Sequence, residues 1–147
     1  MKTTFFVRTA SLSDLPELKA LLLRSPYDWT PITLANSFCY DYHHWVIENH
    51  LDGIIGFLVM RVVLDHWELM QIGVDLPYRS QGCGLQLLQY AIDEAKRKNV
   101  RKIQLEVRLS NRFGMALYRR CGFEQVGSRK KYYTDGEDAV LMDLKLS

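Results

Sequence analysis

The chain reads Arg79-Ser80-Gln81-Gly82-Cys83-Gly84 between a strand-like segment at residues 67–74 and a long amphipathic segment at residues 85–98. A glycine-rich loop that leads from a strand into a helix exposes backbone N–H groups that no helical carbonyl can reach. Glycine at 82 and 84 leaves room for an anion on these amides, and the helix dipole adds about half a positive charge there. The loop therefore predicts a binding site for a phosphate or pyrophosphate.

This loop matches neither of two well-known nucleotide-binding patterns. It is not a Walker A loop, because no lysine followed by serine or threonine comes after the second glycine. It does not match the dinucleotide fingerprint either. Taken alone, the six residues also fit a plain tight turn, so the rest of the chain has to decide between a cofactor loop and a structural one.

Length and composition are those of a single globular domain. The 147 residues, taken as one domain over 1–147, are 48% hydrophobic and 24% charged. No apolar run reaches the ~18–20 residues that span a bilayer, and Phe5-Phe6-Val7 is too short for a signal peptide. Three cysteines, at 39, 83 and 121, lack metal-ligand spacing, and the four histidines have no helical i, i+4 partner. We expect reduced thiols, no metal and a cytoplasmic protein.

The charge is unevenly distributed, although the net charge is only +2. Residues 79–131 carry 13 Lys and Arg against 4 Asp and Glu, whereas the remainder carries 6 against 13. A basic half that contains the phosphate loop suits a polyanionic small cofactor. The acidic segments, residues 1–78 and 132–147, would attract a basic peptide, although solvated loops would give the same imbalance. Direct nucleic-acid binding is disfavoured, because no aromatic-basic recognition motif is present.

Strand and helix patterns alternate in the order β-α-α-β-β-β-α-β-α-β-β. The first helix begins at Ser13-Asp14 and ends near Ser25-Pro26, and the second begins at the Thr30-Pro31 cap. The apolar stripe of the helix at residues 85–98 consists of Leu85, Leu88, Ile92 and Ala95. This order predicts an α+β fold with a mixed sheet rather than a doubly wound one.

With the glycine loop placed on this order, the chain resembles the GNAT-superfamily N-acetyltransferases, whose acetyl-CoA loop reads Arg/Gln-x-x-Gly-x-Gly/Ala. The second half of that family's pattern is matched by Leu105-Glu106-Val107-Arg108-Leu109-Ser110-Asn111, by Ala116-Leu117-Tyr118 and by Cys121-Gly122-Phe123. The resemblance covers nearly the whole chain and is weakest over residues 25–52. Within the superfamily the chain looks most like the RimI type, the ribosomal-protein-alanine N-acetyltransferases, on account of Asp28-Trp29-Thr30, Glu106-Val107-Arg108 and residues 132–139.

The resemblance implies a single-domain GNAT fold. Such a fold has a mixed, mostly antiparallel sheet of about seven strands, flanked by about four helices and splayed between the fourth and fifth strands. The resemblance also implies acetyl-CoA as cosubstrate, with the pantetheine arm in that splay. The residues that would bind it are Ile72, Gly73 and Val74 on the fourth strand, the loop residues Arg79, Ser80, Gln81, Gly82, Cys83 and Gly84, and Asn111 and Tyr118.

Three of these residues have a second interpretation. Gly73 suits a bulge or a close backbone approach, but a glycine can also simply weaken a strand. Asn111 fits equally well as the N-cap of a helix that ends at Cys121, with Gly122 after it. We expect Cys83 to contribute its backbone N–H rather than its sulfur, because no paired His or Asp indicates a nucleophilic thiol.

The catalytic roles implied by the resemblance are Glu106 as base and Tyr118 as acid, with direct attack of a primary amine on the thioester. A protein α-amine of pKa ~8 is neutral far more often than a lysine of pKa ~10.4, which makes it the easier acceptor. An ordinary carboxylate is a weak base for this proton, so either burial raises the pKa of Glu106 or a water chain carries the proton outward. Because Glu106 alternates with Leu105 and Val107, its side chain lies on the opposite sheet face.

The acceptor stays open at the level of the sequence. The resemblance implies the terminal alanine of a ribosomal protein, but a lysine side chain, a small-molecule amine or a non-catalytic acetyl-CoA-binding module are the alternatives. The chain also departs from the RimI pattern at Thr134-Asp135-Gly136, which is short where the family usually has a longer, proline-containing turn near its acceptor groove. The aromatic stretch at residues 38–45 either lines the acceptor site or caps the core, and we expect the core.

Overall fold

The computed structural model describes residues 4–24 and 27–147. Within these ranges the strands are β1 (Phe6–Thr9), β2 (Tyr42–Asn49), β3 (Gly53–Val63), β4 (His66–Val74), β5 (Lys102–Arg108), β6 (Glu124–Arg129) and β7 (Ala139–Lys145). The α-helices are α1 (Leu15–Leu23), α2 (Pro31–Asn36), α3 (Cys83–Arg97) and α4 (Arg112–Arg120). Their order along the chain is the predicted one. The predicted end of the first helix at Ser25-Pro26 lies outside the described residues.

The strands form one sheet in the order β1-β2-β3-β4-β5-β7-β6, and every neighbouring pair is antiparallel except β4 and β5. The parallel pairing of β4 with β5 covers only His66–Leu69 against Lys102–Leu105. Beyond Leu69, β4 continues to Val74 while pairing with β3 alone. A wedge therefore opens between β4 and β5, as the predicted splay requires.

Helices cover both faces of the sheet. Helices α1 and α2 bury Leu18, Leu21 and Leu34 against one face, where they meet Phe57 and Val59 of β3. Helix α3, together with Met115 and Tyr118 of α4, packs on the other face against a larger cluster that includes Trp45, Trp67 and Ile103. Because β3 lies in the middle of this arrangement, its residues from Ile54 to Met60 are buried without alternation.

The buried stripe of α3 differs in part from the predicted one. Leu88, Ile92 and Ala95 are buried as expected, but Leu85 is only half-buried. The helix begins at Cys83, and its buried side chains are Cys83, Leu87, Leu88, Ala91, Ile92 and Ala95. These positions recur at steps of three and four on one face, whereas Leu85 lies two residues from both Cys83 and Leu87 and so points away from the sheet.

The aromatic stretch mostly belongs to the core, as expected. Trp45 packs against Trp67 with ring centroids 6.1 Å apart, and the buried His44 ring stacks on Phe38 at 3.9 Å. Tyr40 is the exception, because its side chain is 99% exposed. No helix within the described ranges has both the length and the apolar character needed to cross a membrane, and no group of three metal-ligating side chains occurs among those residues.

Candidate active site

The glycine loop leads into α3 with its backbone amides unpaired. Gly82, in the left-handed conformation with φ +82°, is the N-cap of α3. The first hydrogen bond of the helix joins the Gln86 N–H to the Gly82 carbonyl at 2.9 Å. The N–H groups of Cys83, Gly84 and Leu85 therefore precede that bond and find no acceptor inside the helix. With the positive end of the helix dipole behind them, these amides suit an anion.

Glycine is required at 82 for its backbone conformation rather than for space. A Cβ at Gly82 would meet no atom within 4 Å, but the positive φ strains any L side chain there. At Gly84 a Cβ would lie 3.4 Å from Cδ2 of Leu117, which is an ordinary contact. The Cys83 thiol is buried among apolar side chains, which raises its pKa. The sulfur thus faces the core, and a contact of the Cys83 N–H with a cofactor stays a prediction.

Side chains fix the loop to the end of β4. Nε of Arg79 donates to the Val74 carbonyl at 3.0 Å, and Nε2 of Gln81 donates to the Pro77 carbonyl at 3.3 Å. Asp75, the residue after β4, pairs with Arg24 at 3.1 Å. The loop residues and the fourth-strand residues named from the sequence therefore lie next to each other.

The C-terminal end of β4 has one free edge. Ile72, Gly73 and Val74 pair with β3 on one side, and the parallel ladder to β5 ends before them, at Leu69. Because the backbone groups of a strand point alternately to its two neighbours, those that face β5 here have no strand partner, although the Val74 carbonyl already accepts from Nε of Arg79. This free edge borders the wedge.

At Gly73 the structure shows a close approach rather than a bulge. The irregularity in β4 lies at Met70, which is skipped in the pairing of Val59 and Met60 of β3, and not at Gly73. A Cβ at Gly73 would lie 2.5 Å from a ring carbon of Tyr27 and 2.8 Å from one of Phe57. The close approach that requires glycine is therefore made by two aromatic rings of the chain itself.

Glu106 lies on the predicted face of β5. Leu105 and Val107 on either side of it are buried in the core beneath α3, whereas 34% of the Glu106 side chain is exposed. Its carboxylate is 3.8 Å from Nε of Arg129. Hydrogen bonding and charge from Glu106 also raise the pKa of the Tyr132 phenol. The Glu106 carboxylate is therefore partly open to solvent and lies beside the Arg129 guanidinium.

Tyr118 projects from α4 into the core on the other side of the sheet. It is 6% exposed and packs on Phe123 with ring centroids 5.9 Å apart. Burial, with a smaller contribution from Tyr133, raises the pKa of the Tyr118 phenol well above its usual value. No hydrogen bond joins the Tyr118 hydroxyl to another described residue. A phenol that holds its proton this firmly is suited to donating a hydrogen bond rather than releasing the proton completely.

Asn111 is a helix cap in this structure. Its Oδ1 accepts a 2.9 Å hydrogen bond from the N–H of Gly114, and α4 ends before Cys121 and Gly122 as predicted. Gly122 has a φ of +100°, the left-handed conformation that commonly follows a helix. The capping interpretation is confirmed, and a contact of Asn111 with a cofactor stays a prediction.

The sequence did not predict that Arg108 and Asp28 interact. Arg108 and Asp28 appeared in the sequence only as family markers, yet Nη2 of Arg108 and Oδ1 of Asp28 form a 2.7 Å ion pair. Tyr133 stacks on the same guanidinium at 4.0 Å, and its pKa is raised to about 12, first by burial and then by the charges of Asp28 and Glu106. An ion pair across 80 residues leaves no local pattern, so periodicity or spacing would not have found it.

Comparison with known proteins identifies the family. The acetyltransferase (GNAT) family model matches residues 14–123. The chain belongs to this family. It is an N-acetyltransferase that uses acetyl-CoA, as the sequence resemblance implied.

Two curated relatives carry more specific names. The [ribosomal protein bS18]-alanine N-acetyltransferase of Escherichia coli (strain K12) is 34% identical over 145 residues, which is 96% of this chain and 97% of that one. The N-alpha-acetyltransferase RimI of Mycobacterium tuberculosis is 33% identical over 131 residues, 86% of this chain and 81% of that one. The sequence resemblance to the RimI type is therefore confirmed.

A solved structure confirms the fold of this GNAT chain. The crystal structure of the ribosomal-protein-S18-alanine N-acetyltransferase from Escherichia coli superposes with a TM-score of 0.90 at 34% identity. The superposition covers 98% of this chain and 95% of that one. The predicted fold, with a mixed and mostly antiparallel seven-stranded sheet, four α-helices and a wedge between β4 and β5, is the one observed.

Proposed function

We propose that this acetyltransferase acetylates the N-terminal α-amine of a protein, and that the acceptor is the terminal alanine of a ribosomal protein. The observation that carries the proposal is the near-full-length likeness to relatives whose names specify this α-amine chemistry. The chemistry agrees, because an α-amine is neutral far more often near pH 7 than a lysine side chain. The acidic segments on either side of the basic half also suit a basic peptide.

Acetyl-CoA binding is assigned to the residues around the wedge. The backbone of Ile72, Gly73 and Val74 takes the pantetheine arm, since this edge of β4 has no strand beside it. The pyrophosphate lies on the loop Arg79–Gly84 and the first amides of α3. The remaining contacts with acetyl-CoA come from Asn111, the N-cap of α4, and from Tyr118 within α4.

The reaction is a direct transfer without an acyl-enzyme. The neutral amine attacks the thioester carbonyl, a C–N bond forms, and the C–S bond breaks as the coenzyme leaves as thiolate. Glu106 accepts the proton that the amine loses and passes it to solvent, which its exposure permits. Tyr118 donates a hydrogen bond to the departing sulfur, and its raised pKa keeps that hydrogen on the phenol.

The two catalytic side chains approach from opposite faces of the sheet. Tyr118 belongs to the cluster beneath α3, together with Leu105 and Val107, whereas Glu106 points the other way. A substrate that contacts both groups has to cross the wedge between β4 and β5.

The test measures thiol release from acetyl-CoA with an alanine-starting basic peptide that contains one internal lysine. We expect turnover with the free peptide and none with the same peptide blocked at its N-terminus. Turnover with the blocked peptide would redirect the assignment to lysine, and turnover only with a small amine would redirect it to small-molecule substrates. Binding of coenzyme A without turnover of any amine would contradict catalysis.

A further inference from the structure

Arg108, the last residue of β5, joins two connections that are far apart in the sequence. Its side chain lies on the same strand face as Glu106, two residues earlier. Nη2 is 2.7 Å from Oδ1 of Asp28, in the connection between α1 and α2. Nη1 is 2.8 Å from Oδ2 of Asp135 and 3.4 Å from Oε2 of Glu137, in the connection between β6 and β7. Three carboxylates from two loops thus converge on one guanidinium.

Hydrogen bonds that do not involve Arg108 also hold the β6–β7 connection in place. Oδ1 of Asp135 accepts from the Glu137 N–H at 3.0 Å, and Oε1 of Glu137 accepts from the Ser110 N–H at 2.8 Å. The N–H of Tyr133 donates to the Glu137 carbonyl at 3.1 Å. Among the described residues, by contrast, every hydrogen bond to the Asp28 carboxylate comes from Arg108. The Arg108 guanidinium is therefore what ties the α1–α2 connection to this turn.

A row of aromatic side chains leads from Arg108 toward Glu106. The guanidinium carbon lies 4.0 Å from the centroid of the Tyr133 ring, within the range of a cation–π interaction. Tyr133 packs edge-to-face on Tyr132 at 5.2 Å. Arg129 links Tyr132 to Glu106, because its guanidinium carbon lies 5.5 Å from the centroid of the Tyr132 ring and its Nε lies 3.8 Å from the Glu106 carboxylate. The position of this tyrosine pair beside Glu106 is thus set from Arg108.

We infer that Arg108 is a positioning residue for the acceptor, which holds Asp28 and the β6–β7 turn together and keeps Tyr132 and Tyr133 beside Glu106. The inference rests on the proposed function, in which the acceptor amine meets Glu106. Lysine would not replace the arginine fully, because only a planar guanidinium presents several N–H donors to separate carboxylates while stacking on a ring. Without the guanidinium the three carboxylates face one another uncompensated and repel, so the two connections separate.

The experiment combines peptide kinetics with amide hydrogen exchange on Arg108→Gln. We expect the KM for the alanine-starting peptide to rise about tenfold, as charge-assisted hydrogen bonds of this kind are lost, while the KM for acetyl-CoA stays within about twofold. Exchange should accelerate over residues 27–30 and 132–138. Arg108→Lys should recover part of the peptide KM. The matched control is Arg97→Gln, which removes a 2.6 Å ion pair to Glu94 at the far end of α3. This variant should change neither the peptide KM nor the rate of amide exchange.

Asp28→Asn keeps the inference testable if Arg108→Gln fails to fold. This variant weakens one arm of the network at an exposed residue, and it should raise the peptide KM and loosen residues 27–30. A double variant, Asp28→Asn with Arg108→Gln, should be no worse than Arg108→Gln alone, since the two changes remove one shared interaction. Unchanged peptide KM and unchanged exchange in Asp28→Asn would overturn the inference. A wild-type chain that turns over no peptide would contradict the proposed function instead, and the exchange data would still show whether Arg108 joins the two connections.

Discussion

The carboxylate of Glu106 lies 3.8 Å from Nε of Arg129, on the face of β5 opposite α3. The proposed base is therefore placed at the edge of solvent beside a cation, and not in an apolar pocket. This placement favours a base that passes its proton to water, and it separates the role of Glu106 from that of the buried Tyr118 on the other face.

Replacement of Glu106 by Gln should remove the base without affecting the cofactor loop. We expect kcat to fall about 100-fold or more, in line with the usual contribution of a general base, while the affinity for acetyl-CoA is unchanged. Steady-state kinetics and calorimetry measure the two quantities. Glu124→Gln is the control, because Glu124 is an exposed carboxylate on β6 without a proposed role. Rates equal to those of the wild type between pH 6 and 9 would exclude Glu106 as base.

Tyr118→Phe should separate catalysis from stability. The hydroxyl forms no hydrogen bond with the described residues, so its removal should change the free energy of unfolding by less than about 1 kcal/mol. We expect kcat to fall about tenfold to 100-fold, because the departing thiolate loses its hydrogen-bond donor. Denaturant unfolding measures the free energy of unfolding, and thiol release measures kcat. Tyr40→Phe, at a fully exposed ring, serves as the control, and an unaltered kcat in Tyr118→Phe would refute the assigned role.

Gly82→Ala and Gly136→Ala form a matched pair for the phosphate loop. Both glycines have a positive φ, +82° and +87°, and a Cβ at either would meet nothing within 4 Å. Each substitution should therefore destabilise the fold by about 1–2 kcal/mol through backbone strain alone. Only Gly82→Ala should weaken coenzyme A binding, because Gly82 sets the direction of the α3 amides. Equal coenzyme A affinity in the two variants, measured by calorimetry, would mean that the loop does not hold the pyrophosphate.

Because His44 is buried, we expect the folded protein to lose stability in mild acid. Ser37 Oγ donates to the Leu34 carbonyl at 2.6 Å, so it accepts from Nε2–H of His44 at 2.8 Å. Burial lowers the pKa of His44 from 6.5 to about 4. Between these values the unfolded chain binds a proton that the folded chain does not, so stability falls as the pH drops from about 6.5 to 4, by at most about 3 kcal/mol.

Denaturant unfolding at several pH values measures this effect. His44→Phe should flatten the curve in that window, whereas His50→Gln, at an exposed position, should leave it unchanged. Burial also lowers the pKa of the neighbouring His43, so a smaller slope of the same sign should remain in His44→Phe. A curve as steep in His44→Phe as in the wild type would assign the acid sensitivity to other groups.

Local patterns in the sequence predict most of the architecture. The Thr30 and Asn111 caps and the glycine loop each depend on a few neighbouring residues, and all of them are found in the structure. The start of α3 lies two residues earlier than predicted, because the left-handed Gly82 is the N-cap and Gly84 already belongs to the first turn.

Features that depend on distant residues were not predictable in the same way. The need for glycine at 73 comes from Tyr27 and Phe57, which reach it from other elements. The pairing of Arg108 with Asp28 joins positions 80 residues apart. The exposure of Glu106 depends on which elements pack on that face of β5. Alternation along a strand predicts the face on which a side chain lies, but it does not predict what packs on that face.

The most direct test of the central claim locates the transferred acetyl group. An alanine-starting basic peptide with one internal lysine is incubated with the enzyme and acetyl-CoA, and the product is sequenced by tandem mass spectrometry. The account predicts one acetyl group, on the N-terminal nitrogen. A product acetylated only on the lysine Nζ would contradict it.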